Sequence, residues 1–373
     1  MNQFSAPRRG LEILDRARAL APSIRAASDE IEKAGRLTEE IVHALKQADV
    51  FGMAIPTEMG GPEADPMTQL QVVEELSIAD ASVGWVAMIG SDGGYYAAHL
   101  SAEVAGEIYA DPNAVTASTL VPRGQARPVD GGYRVSGQWS FGSASLHAEW
   151  FVGGCLVFDG DKPAKTKEGH PIVRMMFFPR TDCLVHDNWQ TTGLAGSGSN
   201  DWSVDDVFVP EAKSFSLFEP PRFKGPVYAY PWFIVANAPG VSLGIARASI
   251  DTLGELAATK VVMPGGKRLQ DDLLLQTEVG RAEAELGAAR AYIYDATAAI
   301  FETVSAGDEA TLEQRAAYRL AGINAFRASK SVVSRMYEAG GGAALYSKSL
   351  LDRQWRDIST ITQHAFANER VYG

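Results

Sequence analysis

The chain closes on LLDRQWRDISTITQHAFANERVYG, residues 350–373. Leu351, Trp355, Ile358, Ile361, Thr362, Ala365 and Phe366 recur at helical spacing, which predicts an amphipathic helix with one buried side. The single histidine of the stretch is His364, and Asp357, seven residues earlier, falls on nearly the same helical face. An imidazole so placed is either a packed core residue or, with an acid behind it, a proton-transfer group.

Outward from this segment, the hydrophobic period divides the chain into three: helix in 1–112, strand in 113–225 and helix again in 226–373. Thr38 followed by Glu39 and Glu40 marks a helix start, because its hydroxyl can cap free amides while the acids oppose the helix dipole. Ser101 and the pair Thr311 with Gln314 give similar starts. In the middle third, Tyr133 and Val135 alternate with Arg134 and Ser136, and Trp139 and Phe141 are expected to share a face. Residues 159–170, DGDKPAKTKEGH, read as a polar hairpin loop. From Phe233 to Phe366 long alanine-rich helices predict a bundle.

Composition narrows the class without naming it. With 373 residues, 46% hydrophobic and 21% charged, the chain can bury a large core and suggests two or three domains. A net charge of -12 disfavours nucleic-acid partners and anionic membranes. Two isolated cysteines give no disulfide framework, so a reduced cytoplasm is the default. MNQFSAPRRG carries no apolar run of a targeting signal, and PWFIVANAPGVSLGIA, from residue 231, is expected to be broken by Pro239 and two glycines before it could span a bilayer. GSGSND at 196–201 lacks the third glycine of a dinucleotide fingerprint and reads as a turn. Six scattered histidines and no HExxH pair give no expectation of a metal site.

Five stretches nevertheless come in a recognisable order: GRLTEEIVHALKQADVFGMAIPTEMGG at 35–61, DASVGWV at 80–86, GGYRVSGQWSFGSASLHAEW at 131–150, TGLAGSGSNDWSVDDVFVP at 192–210, and the WRD-to-His364 segment after Gly340, Gly341 and Gly342. Together they resemble the acyl-CoA dehydrogenase fold in its flavin-dependent monooxygenase branch. The resemblance implies an α+β, mostly α, architecture: an N-terminal helical domain, a middle β domain and a C-terminal four-helix bundle, assembled as a homotetramer. It also implies the oxygenase component of a two-component system. Reduced flavin, FMN or FAD, would come from a separate NAD(P)H flavin reductase and react with O₂ to a C4a-hydroperoxide that hydroxylates a small aromatic or heteroaromatic substrate, phenol or indole in type.

Site residues follow from the matching segments. Phe141, Gly142 and Ser143 stand on the family's aromatic-any-Ser/Thr segment, so Ser143 is expected to bond flavin N5, beside a strand end that can offer the ring a flat wall. Trp85 and the run Ser118, Thr119 and Leu120 correspond to stretches lining the ring. Gly341 and Gly342 resemble glycines at which a neighbouring subunit approaches the cofactor, and Lys267 and Arg268 stand near a basic flavin-phosphate contact. His364 is assigned the transfer of a phenol or ring N–H proton, or a hydrogen bond to the peroxide. Trp85, Phe141 and Phe366 are expected to wall a dry substrate pocket. Where acyl-CoA dehydrogenases carry a glutamate base, this chain has TQHAF, and STLVPRGQARPVDGG replaces their TEPxAGSD loop. Both departures argue against thioester desaturation. A dehydrogenase or flavin oxidase of the same fold and a non-catalytic, flavin-free binding protein remain the alternatives.

Overall fold

Helices flank a central sheet in the computed structural model, which describes residues 9–262 and 266–368. The N-terminal seven are α1 (Leu11–Ala19), α2 (Ala21–Ala34), α3 (Glu39–Gln47), α4 (Pro66–Ala79), α5 (Ala81–Gly90), α6 (Gly93–Ala97) and α7 (Ala102–Ile108). Thr38, Asp65, Asp80 and Ser101 cap α3, α4, α5 and α7 by accepting first-turn amides, which satisfies donors no helix can pair internally.

Eight strands follow: β1 (Thr116–Val129), β2 (Gly132–Gly142), β3 (Trp150–Asp159), β4 (Lys162–Pro163), β5 (Val173–Pro179), β6 (Leu184–Val185), β7 (Asn200–Pro210) and β8 (Ser214–Phe215). Their order is β6-β7-β2-β1-β3-β5-β8, with β4 on β3; β1 and β3 run parallel and the other pairs antiparallel. Alternation gives the sheet two buried faces. Val152, Met175, Phe177 and Phe215 pack on the helices, whereas Trp139, Phe151, Met176, Phe178 and Trp202 form a second core on the far side. Trp139 and Trp202 stack there at 4.2 Å. Phe141 does not share their face. The pairing of β2 with β7 slips between Trp139 and Gly142, Phe141 takes a φ of 64°, and its ring turns outward to 68% exposure.

The C-terminal region comprises α8 (Ala238–Thr259), a hairpin of β9 (Val261–Val262) and β10 (Lys267–Arg268), then α9 (Leu273–Ser305), α10 (Leu312–Gly340) and α11 (Leu350–Ile361). Thr311 and Gln314 form a complete capping box at α10. Pro239 does not break the apolar stretch, because a proline in the first helical turn gives up no hydrogen bond. Pro231–Thr259 is thus long and apolar enough to cross a membrane, yet 89% of its apolar window is buried in the core. Gly240 and Gly244 face α4 so closely that a Cβ would lie 2.5 Å from the Leu70 carbonyl oxygen and 2.4 Å from that of Glu74.

Glu74, buried on α4, ties this layer to α9. Its carboxylate accepts from Arg290 Nε at 2.8 Å and from the Tyr294 hydroxyl at 2.8 Å. The Arg290 side chain is 43% exposed and keeps water without this partner, whereas Glu74 and Tyr294 meet in the buried layer, so most of the cost of losing the carboxylate falls on the Tyr294 bond. Glu74→Ala should therefore lower the unfolding free energy by about 1–3 kcal/mol in urea titration; a loss below about 0.5 kcal/mol would show that these bonds do not hold α9 to α4.

Candidate functional site

Helix α11 stops three residues short of His364. Thr362 closes it, and His364 enters an extended conformation, φ -68° and ψ 151°, that caps the short 3-10 turn Ala365–Ala367. The expected single helical face therefore breaks, and Asp357 and His364 do not act as a pair. The cause is local: the Nδ1 atom of His364 accepts the Phe366 amide at 3.5 Å, a bond that an uninterrupted helix would not allow. The imidazole lies 5.5 Å from the Trp85 ring, edge-on, and 4.0 Å from Phe366. Burial between these apolar rings pushes its pKa down to about 4. At neutral pH the ring is uncharged, and the Phe366 cap on Nδ1 favours the tautomer with its proton on Nε2.

Asp357 serves a different purpose. Its Oδ1 accepts the backbone amide of Leu194 at 2.6 Å, and burial, which outweighs that bond, pushes its pKa up to about 7. Arg356 beside it donates to Glu32 at 2.6 Å, to Asp352 at 2.7 Å and to the Thr192 carbonyl. Between them Gly193 approaches so closely that a Cβ would sit 2.2 Å from the Arg356 carbonyl oxygen. The WRD sequence is thus a latch that clamps loop 192–194 onto α11.

Beyond the latch a chain of buried hydroxyls begins. Trp85 Nε1 lies 2.8 Å from Ser143 Oγ, Ser143 Oγ lies 2.7 Å from Ser199 Oγ, and Ser199 Oγ lies 2.8 Å from Ser197 Oγ. Ser197 in turn donates to the Leu194 carbonyl at 2.7 Å. Leu194 itself adopts a left-handed conformation, φ 51° and ψ 32°, which a residue with a Cβ rarely accepts without such support. Ser197 and Ser199 were not among the expected site residues. The signal was the alternation of serine and glycine in GSGSND, which forms the expected turn but also aims two hydroxyls inward.

The structure brings Trp85, Ser143, His364 and Phe366 together, and places Ser118, Thr119 and Leu120 on β1 nearby. Ser118 donates to Asp92 at 3.4 Å, and Thr119 accepts from Trp202 Nε1 at 3.4 Å. Asp92, also unforeseen, is held well above the usual carboxylate range by burial. Gly142 is buried at the end of β2, whereas Phe141 points away toward Trp189, 6.3 Å off. Lys267 and Arg268 lie elsewhere, exposed at the C-terminal end of α8. Gly341 and Gly342 share that end: Lys260 donates through Nζ to the Gly340 carbonyl at 2.8 Å, and its own carbonyl accepts the Leu269 amide. Behind Phe366 opens a cavity of about 610 Å³, walled by Tyr230, Trp232, Tyr318, Ile323 and Phe326, with Arg315 and Arg319 also lining it. Among the described residues no group of three or more His, Cys, Asp or Glu could hold a metal ion.

Residues 11–104 match the family described as acyl-CoA dehydrogenase, N-terminal domain, and residues 237–369 match acyl-CoA dehydrogenase, C-terminal domain. The chain is 32% identical to the indole-3-acetate monooxygenase of Pseudomonas putida over 93% of its own length and 88% of the relative's. It is 29% identical to the flavin-dependent monooxygenase, oxygenase subunit HsaA, of Rhodococcus jostii over 96% of both chains. The crystal structure of the HsaA monooxygenase from M. tuberculosis superimposes with a TM-score of 0.89 at 27% identity, covering 98% of this chain and 96% of that one.

His364 and Asp357 give opposite pH signatures. Between about pH 4 and 6.5 the unfolded chain protonates His364 and the folded chain does not, so stability falls as pH drops through that window. Asp357 is raised, so its contribution is present below about pH 4 and is lost as pH rises toward 7. Relative to the unsubstituted protein, His364→Gln should gain on the order of 1 kcal/mol more at pH 5 than at pH 8, and Asp357→Asn should gain more at pH 8. Urea midpoints at the two pH values check this; parallel shifts for both variants would contradict it.

Proposed function

This chain belongs to the acyl-CoA dehydrogenase family, in its flavin-dependent monooxygenase branch, and on that footing we propose that it is an oxygenase component hydroxylating a small aromatic or heteroaromatic compound. The observation that carries the reading is the Ser143 oxygen, which accepts an aromatic N–H, that of Trp85, in a buried setting. Reduced flavin presents a ring N–H at N5, so the acceptor present fits the group. Trp85, Ser118, Thr119, Leu120 and Gly142 would hold the ring, and Ser143 would meet N5. Bound there, reduced flavin supplies the activation of O₂ and the transfer of one oxygen atom to the substrate.

His364 contributes the proton on its Nε2 atom. Neutral, with Nδ1 engaged by the Phe366 amide, it presents Nε2–H as a hydrogen-bond donor beside the Trp85 ring. Trp85, buried, and Phe366, partly buried, shield the imidazole with apolar rings, which strengthens the donor. The cavity behind Phe366, with its aromatic walls, suits a flat substrate.

Lys267, Arg268 and Lys260, grouped near Gly341 and Gly342, offer a cationic end of the bundle for the flavin phosphate. Around it Leu273, Leu274, Leu345 and Tyr346 are all more than half exposed, which supports coverage by neighbouring copies in a homotetramer. A separate NAD(P)H flavin reductase would supply the reduced FMN or FAD, in keeping with the name "oxygenase subunit" carried by a relative.

The test supplies chemically reduced flavin, O₂ and a panel of phenols and indoles, measuring product and H₂O₂. Product is expected, and His364→Ala should lower it by about 10²-fold while H₂O₂ rises. Undiminished product in His364→Ala would remove His364 from the mechanism. Reduction of oxidised flavin by an acyl thioester without a reductase would point to a dehydrogenase instead, and no rise in thermal midpoint with flavin would point to a binding protein.

A further inference from the structure

We infer that Ser199 and Ser197 form a positioning relay that fixes the Ser143 hydroxyl as a hydrogen-bond acceptor, and that this makes the site select reduced over oxidised flavin. The inference rests on the reading that Ser143 meets flavin N5.

The polarity of the relay is determined by its two ends. Indole N–H can only donate and a backbone carbonyl can only accept. Ser197 therefore spends its one proton on the Leu194 carbonyl, so the 2.8 Å bond between Ser197 and Ser199 must carry the Ser199 proton. Ser199 then has no proton left for Ser143, and the 2.7 Å bond between them must carry the proton of Ser143. At the far end Trp85 donates into one lone pair of Ser143. Every hydroxyl proton in the chain is committed, all in the same direction, and Ser143 has only lone pairs to offer a further partner.

That state reads the oxidation level of a flavin. At N5 an oxidised isoalloxazine has a lone pair and no hydrogen, so it needs a donor; the reduced ring has N5–H and needs an acceptor. Ser143 satisfies the second and faces the first lone pair to lone pair. Ser143, Ser197 and Ser199 are all buried, so water does not freely supply an alternative partner, and the mismatch counts. For an oxygenase that receives its flavin from another protein, the consequence is useful: the reduced form is taken up and the spent, oxidised form is released.

The experiment measures dissociation constants of oxidised and anaerobically reduced FMN and FAD, and the midpoint potential of the bound flavin, in the unsubstituted protein, Ser199→Ala and Ser197→Ala. The unsubstituted protein should bind the reduced form more tightly. In Ser199→Ala the Ser143 proton is released to turn toward N5, so the ratio of the two constants should fall about three- to tenfold, which at tenfold is a potential about 30 mV lower for a two-electron couple. Ser197→Ala keeps the Ser199 acceptor but frees its proton, so a smaller fall in the same direction is expected, and this holds the test open should Ser199→Ala not fold. Equal changes in both constants, leaving ratio and potential where they were, would overturn the relay while leaving the flavin reading intact. An unsubstituted protein that binds neither form would overturn both.

Discussion

The bond from the buried Leu194 amide to the Asp357 carboxylate joins the last helix to the loop that precedes β7. Much of the site depends on it. Leu194 is held left-handed, its amide is fixed by Asp357, and its carbonyl accepts from Trp189 Nε1 and from Ser197. From Ser197 the hydroxyl chain runs through Ser199 to Ser143 and Trp85. A single residue thus couples the placement of α11, through its amide, to the hydrogen-bonding state of the residue expected to face the flavin, through its carbonyl. Arg356 and Gly193 reinforce the same clamp, the first by charge and the second by permitting backbone to lie on backbone.

Around this node three layers meet. Helix α5 brings Trp85, the sheet brings Ser143 and β1, and the segment after α11 brings His364 and Phe366. The sheet can serve as the middle layer because its alternation buries both faces, one against the helices and one in the Trp139–Trp202 core. On the helical side, α4 and α8 close to backbone contact through Gly240 and Gly244, and Glu74 fastens α9 behind them. Rigid layers of this kind hold a site more accurately than loops would.

Much of this was legible in the sequence, and the remainder was hidden for definite reasons. The division into helix, strand and helix, the caps at Thr38 and Ser101 and the box at Thr311 follow from local rules, and local rules held. Trp85, Ser143, His364 and Phe366, from three separate segments, lie together in the structure. Helical spacing failed at His364, whose side chain captures the Phe366 amide beyond the end of the helix, and failed again at Phe141, where a bulge turned the ring out. Ser197, Ser199 and Asp92 were missed: the serine–glycine alternation marked a turn but not its partner Ser143, 56 residues before Ser199, and the weight of Asp92 lies in burial beside Ser118 on another element. The roles of Asp357 and Arg356 were likewise long-range, toward Leu194 and Glu32.

If the Leu194 peptide is the node, disturbing it from the α11 side should be felt at Ser143. The measurement that decides this is the ratio of affinities for reduced and oxidised flavin in Asp357→Ala, taken with its unfolding free energy. Loss of the carboxylate leaves the Leu194 amide unpaired and loosens the carbonyl that terminates the hydroxyl chain, so a lower stability and a ratio reduced at least about threefold are expected together. A variant that loses stability yet keeps the full discrimination between flavin forms would contradict the coupling.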